Sequence, residues 1–221
     1  MAQGWTEKGL RNRQDATDYD RFSEAVLGPW DELFLDRCAA LRPAGAGTFV
    51  DVGAGTGVVL YRLSQRPVFA GWTLIGLELF DDMVEAGNAR FAAQGVAAEM
   101  RQGDAQSLPL EDASVDMVVS RATIHHLPDK VAALREMDRV LSPGGIGLIH
   151  DARRDMPAEL MRRFNAMRAE VGYLPTTLDE KLTPAEMEAL LEEAGLSDRA
   201  VLHSGNEGIA ALGFEVVMRA A

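Results

Sequence analysis

Residues 50–57, Val50-Asp51-Val52-Gly53-Ala54-Gly55-Thr56-Gly57, constrain this chain more than any other stretch. A short apolar run over residues 48–52 leads into three alternating glycines, and a helical pattern over residues 58–65 follows directly. Glycine adopts backbone angles that other residues resist. A strand that breaks into a helix across such a turn also lets a ligand approach the main chain closely. A turn used only for folding has the same look, so the glycines alone leave both readings open.

The rhythm around the turn repeats. A second strand is predicted over residues 73–77 and a helix over 82–93, with Phe80, Met83, Val84 and Phe91 as its buried stripe. Weaker and stronger strands follow at 97–101 and 115–120. Pro128 suits the first turn of the next helix, which Ser142-Pro143-Gly144-Gly145 ends before a fifth strand over 146–150. Parallel strands need crossover connections. Five alternations of strand and helix therefore predict an α/β fold, a Rossmann-like, mostly parallel seven-stranded sheet with helices on both faces. Segments 199–203 and 213–218 complete the seven strands as a hairpin-like pair.

Residues 18–41 read as helix in two pieces broken at Gly28-Pro29, with Trp30, Leu33, Phe34, Cys38 and Leu41 on one face. A later helix over 158–171 carries Leu160, Phe164, Met167 and Val171 on one face. Its methionines, Met161 and Met167, suit core packing or a pliable lid. Thr183-Pro184-Ala185-Glu186 is a capping box with proline at the first helical position, and Gly195 ends that helix. The organisation expected is one domain over residues 1–221. It comprises a helical N-terminal cap (1–44), a cofactor-binding core (48–152), a substrate or lid segment (153–182), and a C-terminal helix with the last strands (183–221).

Composition narrows the partners. Hydrophobic residues make up 47% and charged residues 25% of 221, as in ordinary globular proteins, and the formal net charge is -12. So acidic a chain is repelled by nucleic acid unless it carries a strong basic patch. Arg153-Arg154 and Arg162-Arg163 are the nearest approach to one. No apolar run is long enough to span a membrane, and residues 1–12 lack the apolar core of a secretory signal, so a cytoplasmic protein is expected. Cys38 is the single cysteine, which excludes an internal disulfide and a multi-cysteine metal site.

The ligand follows from the glycine spacing. A dinucleotide fingerprint needs a third glycine three residues after the second, where this chain has Val58. Glu78 ends the second strand, and a carboxylate there can accept both hydroxyl hydrogen bonds of an adenosine ribose. Asp51-Val52-Gly53-Ala54-Gly55-Thr56-Gly57 resembles motif I of class I S-adenosylmethionine-dependent methyltransferases. Gly76-Leu77-Glu78-Leu79 resembles their second motif, and residues 103–110, Gly-Asp-Ala-Gln-Ser-Leu-Pro-Leu, their adenine-proximal segment. Residues 139–145, Arg-Val-Leu-Ser-Pro-Gly-Gly, resemble the stretch entering their fifth strand. The ordered set spans about residues 48–150 and is closest to the branch that modifies small molecules, which includes quinone and sterol C-methyltransferases.

That resemblance implies S-adenosylmethionine as cofactor and a role for each matching position. Asp51, Gly53, Ala54, Gly55 and Gly57 would hold the methionine part. Glu78 would take the ribose hydroxyls, although Asp is also frequent there. Asp104 and the Ala105 backbone would face the adenine edge, Leu79 and Met83 its ring, and Ser120 and Arg121 the cofactor floor. From the residues alone, Asp104 is equally a turn former.

Ligands of open α/β sheets lie beyond the carboxyl ends of the strands. That rule places Tyr19, Trp30, Asp151, Arg153 and Arg154 near a substrate. His125 and His126 follow the fourth strand and are candidate proton acceptors, His125 the preferred one. Each also has a purely structural reading, the histidines as loop packing and the arginines as surface pairs. His125, His126, His150 and Asp151 share the same rim, but no metal-binding spacing occurs and no metal is expected. The function expected is in-line methyl transfer to a small molecule. The alternatives are a cofactor-binding regulator or scaffold without turnover and a nucleotide-dependent oxidoreductase. The N-terminal helices either cap the pocket or build a homodimer.

Overall fold

The structure, a computed structural model, describes residues 23–176, 178–205 and 211–220. Seven strands form one sheet: β1 (Thr48–Val52), β2 (Thr73–Glu78), β3 (Ala98–Gln102), β4 (Val115–Arg121), β5 (Leu141–Ala152), β6 (Ala200–Ser204) and β7 (Gly213–Arg219). Their spatial order is β3-β2-β1-β4-β5-β7-β6. β1 to β5 run parallel, while β7 is antiparallel to both β5 and β6. The last two strands do pair antiparallel, as expected, but β7 inserts between β5 and β6. The order reverses at β1 and β4, the crevice where ligands of open α/β sheets sit.

Six α-helices are described: α1 (Gly28–Leu41), α2 (Val58–Ser64), α3 (Asp81–Gln94), α4 (Lys130–Val140), α5 (Ala158–Glu170) and α6 (Pro184–Ala194). A π-helical turn, Ser23–Leu27, precedes α1, so the break expected at Gly28-Pro29 falls where the helix type changes. Strand alternation divides the core in two. Val50, Val52, Val118 and Ile149 pack with α4 and α6 on one face. Phe49, Val119 and Leu148 pack with α1, α2 and α3 on the other. Burial of each such side chain contributes about 1.5–3 kcal/mol.

Three local expectations are corrected. The buried stripe of α3 is Met83, Gly87 and Phe91, whereas Phe80 precedes the helix and Val84 is half-buried. Gly87 is in the stripe because the Met100 side chain lies where a Cβ would stand, 2.6 Å away. The fifth strand begins at Leu141, not 146, because Leu141 pairs with Val115 before the register shifts to Ile146 beside Met117. Helix α5 buries no residue: Leu160, Phe164 and Val171 are half-buried and Met167 is 37% exposed. Its face rests on a small third cluster of Val26, Leu27, Trp30, Ala152 and Met156. The capping box of α6 forms as expected, with Thr183 accepting from the Glu186 N–H, and Gly195 closes the helix at φ 80°.

Candidate functional site

The glycine turn and its carboxylate meet. Gly53, Gly55 and Gly57 have φ of 76°, 56° and 72°, all in the left-handed region that side chains resist. At Gly53 a Cβ would also stand 2.2 Å from the Thr123 methyl. The N–H groups of Gly53 and Ala54 both donate to the Leu77 carbonyl at 2.8 and 3.1 Å, tying the turn to the end of β2. Glu78 Oε2 accepts from the Gly55 N–H at 2.9 Å, and Oε1 accepts from the Leu79 N–H at 2.8 Å. The Gly103 N–H donates to the Glu78 carbonyl at 2.9 Å, which brings the residue 103–110 segment to the same corner.

Around that corner, Met83 is buried and Leu79 half-buried. Asp104 Oδ1 accepts from the Gln106 backbone and side-chain nitrogens at 2.9 and 3.0 Å, a turn-forming use, while Ala105 is buried beside it. Ser120 is fully buried and donates to the Val52 carbonyl at 3.0 Å, linking the ends of β4 and β1.

Asp51 lies at the end of β1 and is 2% exposed. Burial lifts its carboxyl to about 7 against the pull of Arg121, with the negative charges of Glu78 and Asp31 adding to the rise. Arg121, expected on the cofactor floor, is committed to Asp31 of α1, Nη2 to Oδ1 at 2.8 Å. Arg62 of α2 reaches the other Asp31 oxygen at 3.2 Å. Asp31 is fully buried, and desolvation pushes its carboxyl up to about 6 in spite of both guanidinium groups. Sequence reasoning missed Asp31, because an acidic residue near a helix start has the bland use of facing the helix dipole.

Past β4 the chain bends through Ala122, a non-glycine residue at φ 54°. Such a conformation is uncommon outside glycine and recurs at sites where geometry is held for a purpose. The bend lets Thr123 Oγ1 donate to the Gly53 carbonyl at 3.2 Å. It also aims the next turn at Asp151. His125 Nδ1 lies 2.5 Å from Asp151 Oδ1, and the His125 N–H donates to Oδ2 at 3.0 Å. His125 is 6% exposed and its Nε2 faces Lys181 Nζ at 3.4 Å.

Burial alone would raise Asp151, but His125, these hydrogen bonds and Lys181 together hold it below the ordinary carboxylate range. Burial drives the Lys181 ammonium the other way, below its ordinary value. Asp151, expected to contact substrate, thus holds His125 instead. Lys181 was invisible in the sequence, since a lysine between Glu180 and Leu182 carries no pattern.

The remaining expected residues disperse. His126 lies against His125, ring centroids 3.9 Å apart and tilted by 46°, but is exposed and faces Glu180 at 3.3 Å. Arg153 forks onto Asp155 at 2.6 and 2.7 Å with its side chain largely buried, and Arg154, more exposed, pairs with Glu186. His150 and Asp151 are neighbours on β5 and point to opposite faces of the sheet. His150 meets Trp30, Phe34 and Glu215, so the four-residue rim does not converge. Among the described residues no group of three or more ligating side chains could hold a metal, and no helix is long and apolar enough to cross a membrane. Trp30 is buried in the third cluster, while Tyr19 lies outside the described residues.

This donor set suits an adenosyl sulfonium. Three positions free of Cβ open the main chain, Glu78 offers a carboxylate beside it, and a desolvated Asp51 gains from a nearby cation. Fold and site together define a class: α/β proteins with a glycine turn joined to a strand-end acid at the switch point of a mostly parallel sheet. Residues 50–149 match the family described as "Methyltransferase domain". A demethylmenaquinone methyltransferase of Roseiflexus castenholzii is 31% identical over 199 residues, covering 83% of this chain and 82% of that protein. The chain belongs to the class I S-adenosylmethionine-dependent methyltransferases.

An uncharacterized protein of Mycobacterium tuberculosis is 34% identical over 134 residues, 60% of this chain. The chain spans about half, 46%, of the length of that relative. In fold, a SAM-dependent methyltransferase from Aquifex aeolicus superposes with a TM-score of 0.67 at 21% identity, covering 95% of this chain and 100% of that one.

Proposed function

We propose that this protein transfers the methyl group of S-adenosylmethionine to a small-molecule acceptor by in-line displacement. The reading rests first on the Glu78 carboxylate hydrogen-bonded across the glycine turn to the Gly55 N–H. When bound, the cofactor supplies an already electrophilic sulfonium carbon, so the chain's work is alignment, exclusion of water and proton removal.

Glu78 accepts the ribose hydroxyls, Leu79 and Met83 flank the adenine ring, and Asp104 with Ala105 meets its edge. The turn at Gly53, Ala54, Gly55 and Gly57 lies under the methionine arm, with Asp51 as counter-charge. Ser120 and Arg121 floor the site through the Val52 carbonyl and Asp31. The third hydrophobic cluster, under α5, packs against Ala152 at the carboxyl end of β5.

His125 is the proton acceptor, with Asp151 fixing its tautomer: Nδ1–H donates to the carboxylate, leaving the Nε2 lone pair for an acceptor. Lys181 shares that lone pair until an acceptor displaces it. An acceptor of the quinol type is supported by the demethylmenaquinone methyltransferase relative.

Titration calorimetry with S-adenosylmethionine and with NAD, followed by methyl transfer from radiolabelled cofactor to a short-chain naphthohydroquinone, tests the reading. Preferential NAD binding overturns it. Cofactor binding without transfer to that quinol or to a wider panel of hydroxyl and amine acceptors favours a regulatory or scaffold role.

A further inference from the structure

The segment between α5 and α6 carries an ammonium to the candidate base. The Lys181 N–H donates to the Leu178 carbonyl at 3.0 Å, and Arg154 Nη1 donates to the Lys181 carbonyl at 3.0 Å. The Arg154 N–H donates to the Leu182 carbonyl at 2.9 Å, and Arg153 forms a parallel bridge with Leu182. These bonds clamp Lys181 to the chain just past the Asp151 end of β5. Asp151 and Lys181 therefore flank one ring: Asp151 Oδ1 is 2.5 Å from His125 Nδ1, and Lys181 Nζ is 3.4 Å from Nε2.

The contact is covered but not sealed, with His125 6% and Lys181 7% exposed. The His126 ring lies 3.9 Å from the His125 ring between centroids, and 44% of its side chain is open to solvent. A ligand thus has a ring's depth of protein to enter before it meets His125 and Lys181.

Charge decides what can enter. Burial, the largest influence, and Arg168 of α5 oppose the Lys181 charge, while Asp151 and Glu180 support it. Lys130 of α4 draws on the same two acids, with its Nζ donating to the Leu127 carbonyl at 2.7 Å. An ammonium has hydrogens only to give. An acceptor atom that reaches His125 Nε2 comes within range of Lys181 Nζ and must take a hydrogen bond from it.

A hydroxyl oxygen meets that demand. Once the proton is on His125, the oxygen is an anion facing the Lys181 ammonium, and the charged ring faces Asp151. The same end state results whether the proton starts on the hydroxyl or on the ring. An amine runs the other way, since it becomes a cation as its new bond forms, and it would do so beside Lys181. A like charge at that distance disfavours the charged form.

We propose that Lys181 is a catalytic residue that holds the acceptor as an oxyanion, so that the acceptor is an acidic hydroxyl compound, a phenol or an enol, and not an amine. This deepens the methyl-transfer reading given above and rests on it. Starting from the neutral phenol, the hydroxyl proton passes to His125 Nε2. The electron pair released on the acceptor forms the bond to the methyl carbon, and the carbon–sulfur pair leaves with the neutral thioether.

The test uses the full chain saturated with S-adenosylhomocysteine and titrated with 4-nitrophenol. Only the anion of this phenol absorbs violet light strongly, so absorbance reads its ionisation when bound. NMR locates it: nuclear Overhauser contacts are expected to the His125 and His126 rings and to the Lys181 methylenes. Bound nitrophenol should be about tenfold more acidic than free nitrophenol, the smaller end of what one adjacent opposite charge produces. Lys181→Met should abolish that shift and Lys181→Arg should keep part of it, a pattern that a merely structural lysine would not give. 4-Nitroaniline, of similar shape but without the acidic hydroxyl, should bind about tenfold more weakly at pH 7.

Nitrophenol that contacts Lys181 yet ionises as it does in water overturns the proposal. So does nitrophenol bound elsewhere or not at all, an equal shift in Lys181→Met, or methyl transfer to amines in place of hydroxyls. The wild-type contacts and acidity decide this even where a variant fails to fold. Nitrophenolate held at Lys181 in a protein that does not bind S-adenosylhomocysteine would instead sink the cofactor reading and leave the oxyanion site standing.

Discussion

Glu78 Oε2 accepts the Gly55 N–H at 2.9 Å across 23 residues of sequence, so the strand-end acid and the glycine turn form one pocket wall. The contact spans two adjacent parallel strands, β1 and β2, whose register sets Val52 beside Leu77 and so brings Glu78 level with the turn. The first prediction concerns this pair. Glu78→Gln keeps the length of the side chain but loses its charge and half its accepting capacity. Loss of charge-assisted hydrogen bonds of this kind costs about 1.5–3 kcal/mol. S-adenosylmethionine should bind about 10- to 100-fold more weakly by calorimetry, with the fold intact by circular dichroism. Unchanged affinity would remove Glu78 from the cofactor site.

Asp51 makes cofactor binding depend on pH. Its folded carboxyl titrates at about 7, well above the ordinary 3.8, because of burial. A cation placed beside it favours the ionised form, so binding releases a proton below pH 7. Affinity for S-adenosylmethionine should therefore rise as pH goes from 6 to 8, by at most about tenfold per unit on the acid side. Asp51→Asn should flatten the curve. For the cofactor-free protein the sign reverses. The folded state holds this proton more tightly than the unfolded chain, so the group's contribution to stability is full below pH 3.8 and is lost as pH rises through about 7. Thermal melts of wild type and Asp51→Asn from pH 5 to 8 check it: the variant should lose less.

Gly53→Ala confronts the turn with two penalties at once, a φ of 76° and a Cβ 2.2 Å from the Thr123 methyl. Strain of this type together with overpacking costs about 2–4 kcal/mol. Urea denaturation should register a loss of that size, and cofactor affinity should fall because the bend carries both. A variant as stable as wild type would mean that the Thr123 contact yields freely.

Asp151→Asn tests the buried chain from Asp151 through His125 to Lys181. The carboxylate accepts from two His125 nitrogens and from the Ala152 N–H at 2.7 Å. Its loss weakens the hold on His125 and leaves Glu180 as the remaining negative charge acting on the buried Lys181. Loss of hydrogen bonds to a charged group costs about 1.5–3 kcal/mol. Chemical denaturation should show a drop in this range at pH 7, reduced in the double variant Asp151→Asn/Lys181→Met. If the double variant were no more stable than the single one, Lys181 would not be bound up with Asp151.

Much of the fold was legible because its signals are local. Alternation of apolar residues, the proline and capping box of α6, and the glycines at 53, 55 and 57 each act within a few residues. Glu78 was legible as well, as an acid at a strand end. What escaped were residues whose meaning comes from distant partners. Asp31 matters through Arg121, 90 positions away, and Lys181 through His125, 56 positions away, and neither has a sequence pattern of its own. Arg153 and Arg154 went the other way. They invited a substrate-clamping role, and the structure shows each already paired with a nearby acid, Asp155 and Glu186.

By itself the chain determined an alternating α/β sheet, a glycine bend with an acid opposite, and the resemblance that named the cofactor, since backbone permissiveness and side-chain period act at short range. Only the tertiary structure decided that β7 would insert between β5 and β6, and that neighbouring His150 and Asp151 would serve opposite faces. Those outcomes depend on which strands become neighbours and on burial removing water from charges. Both are properties of the packed molecule and not of any short stretch of its sequence.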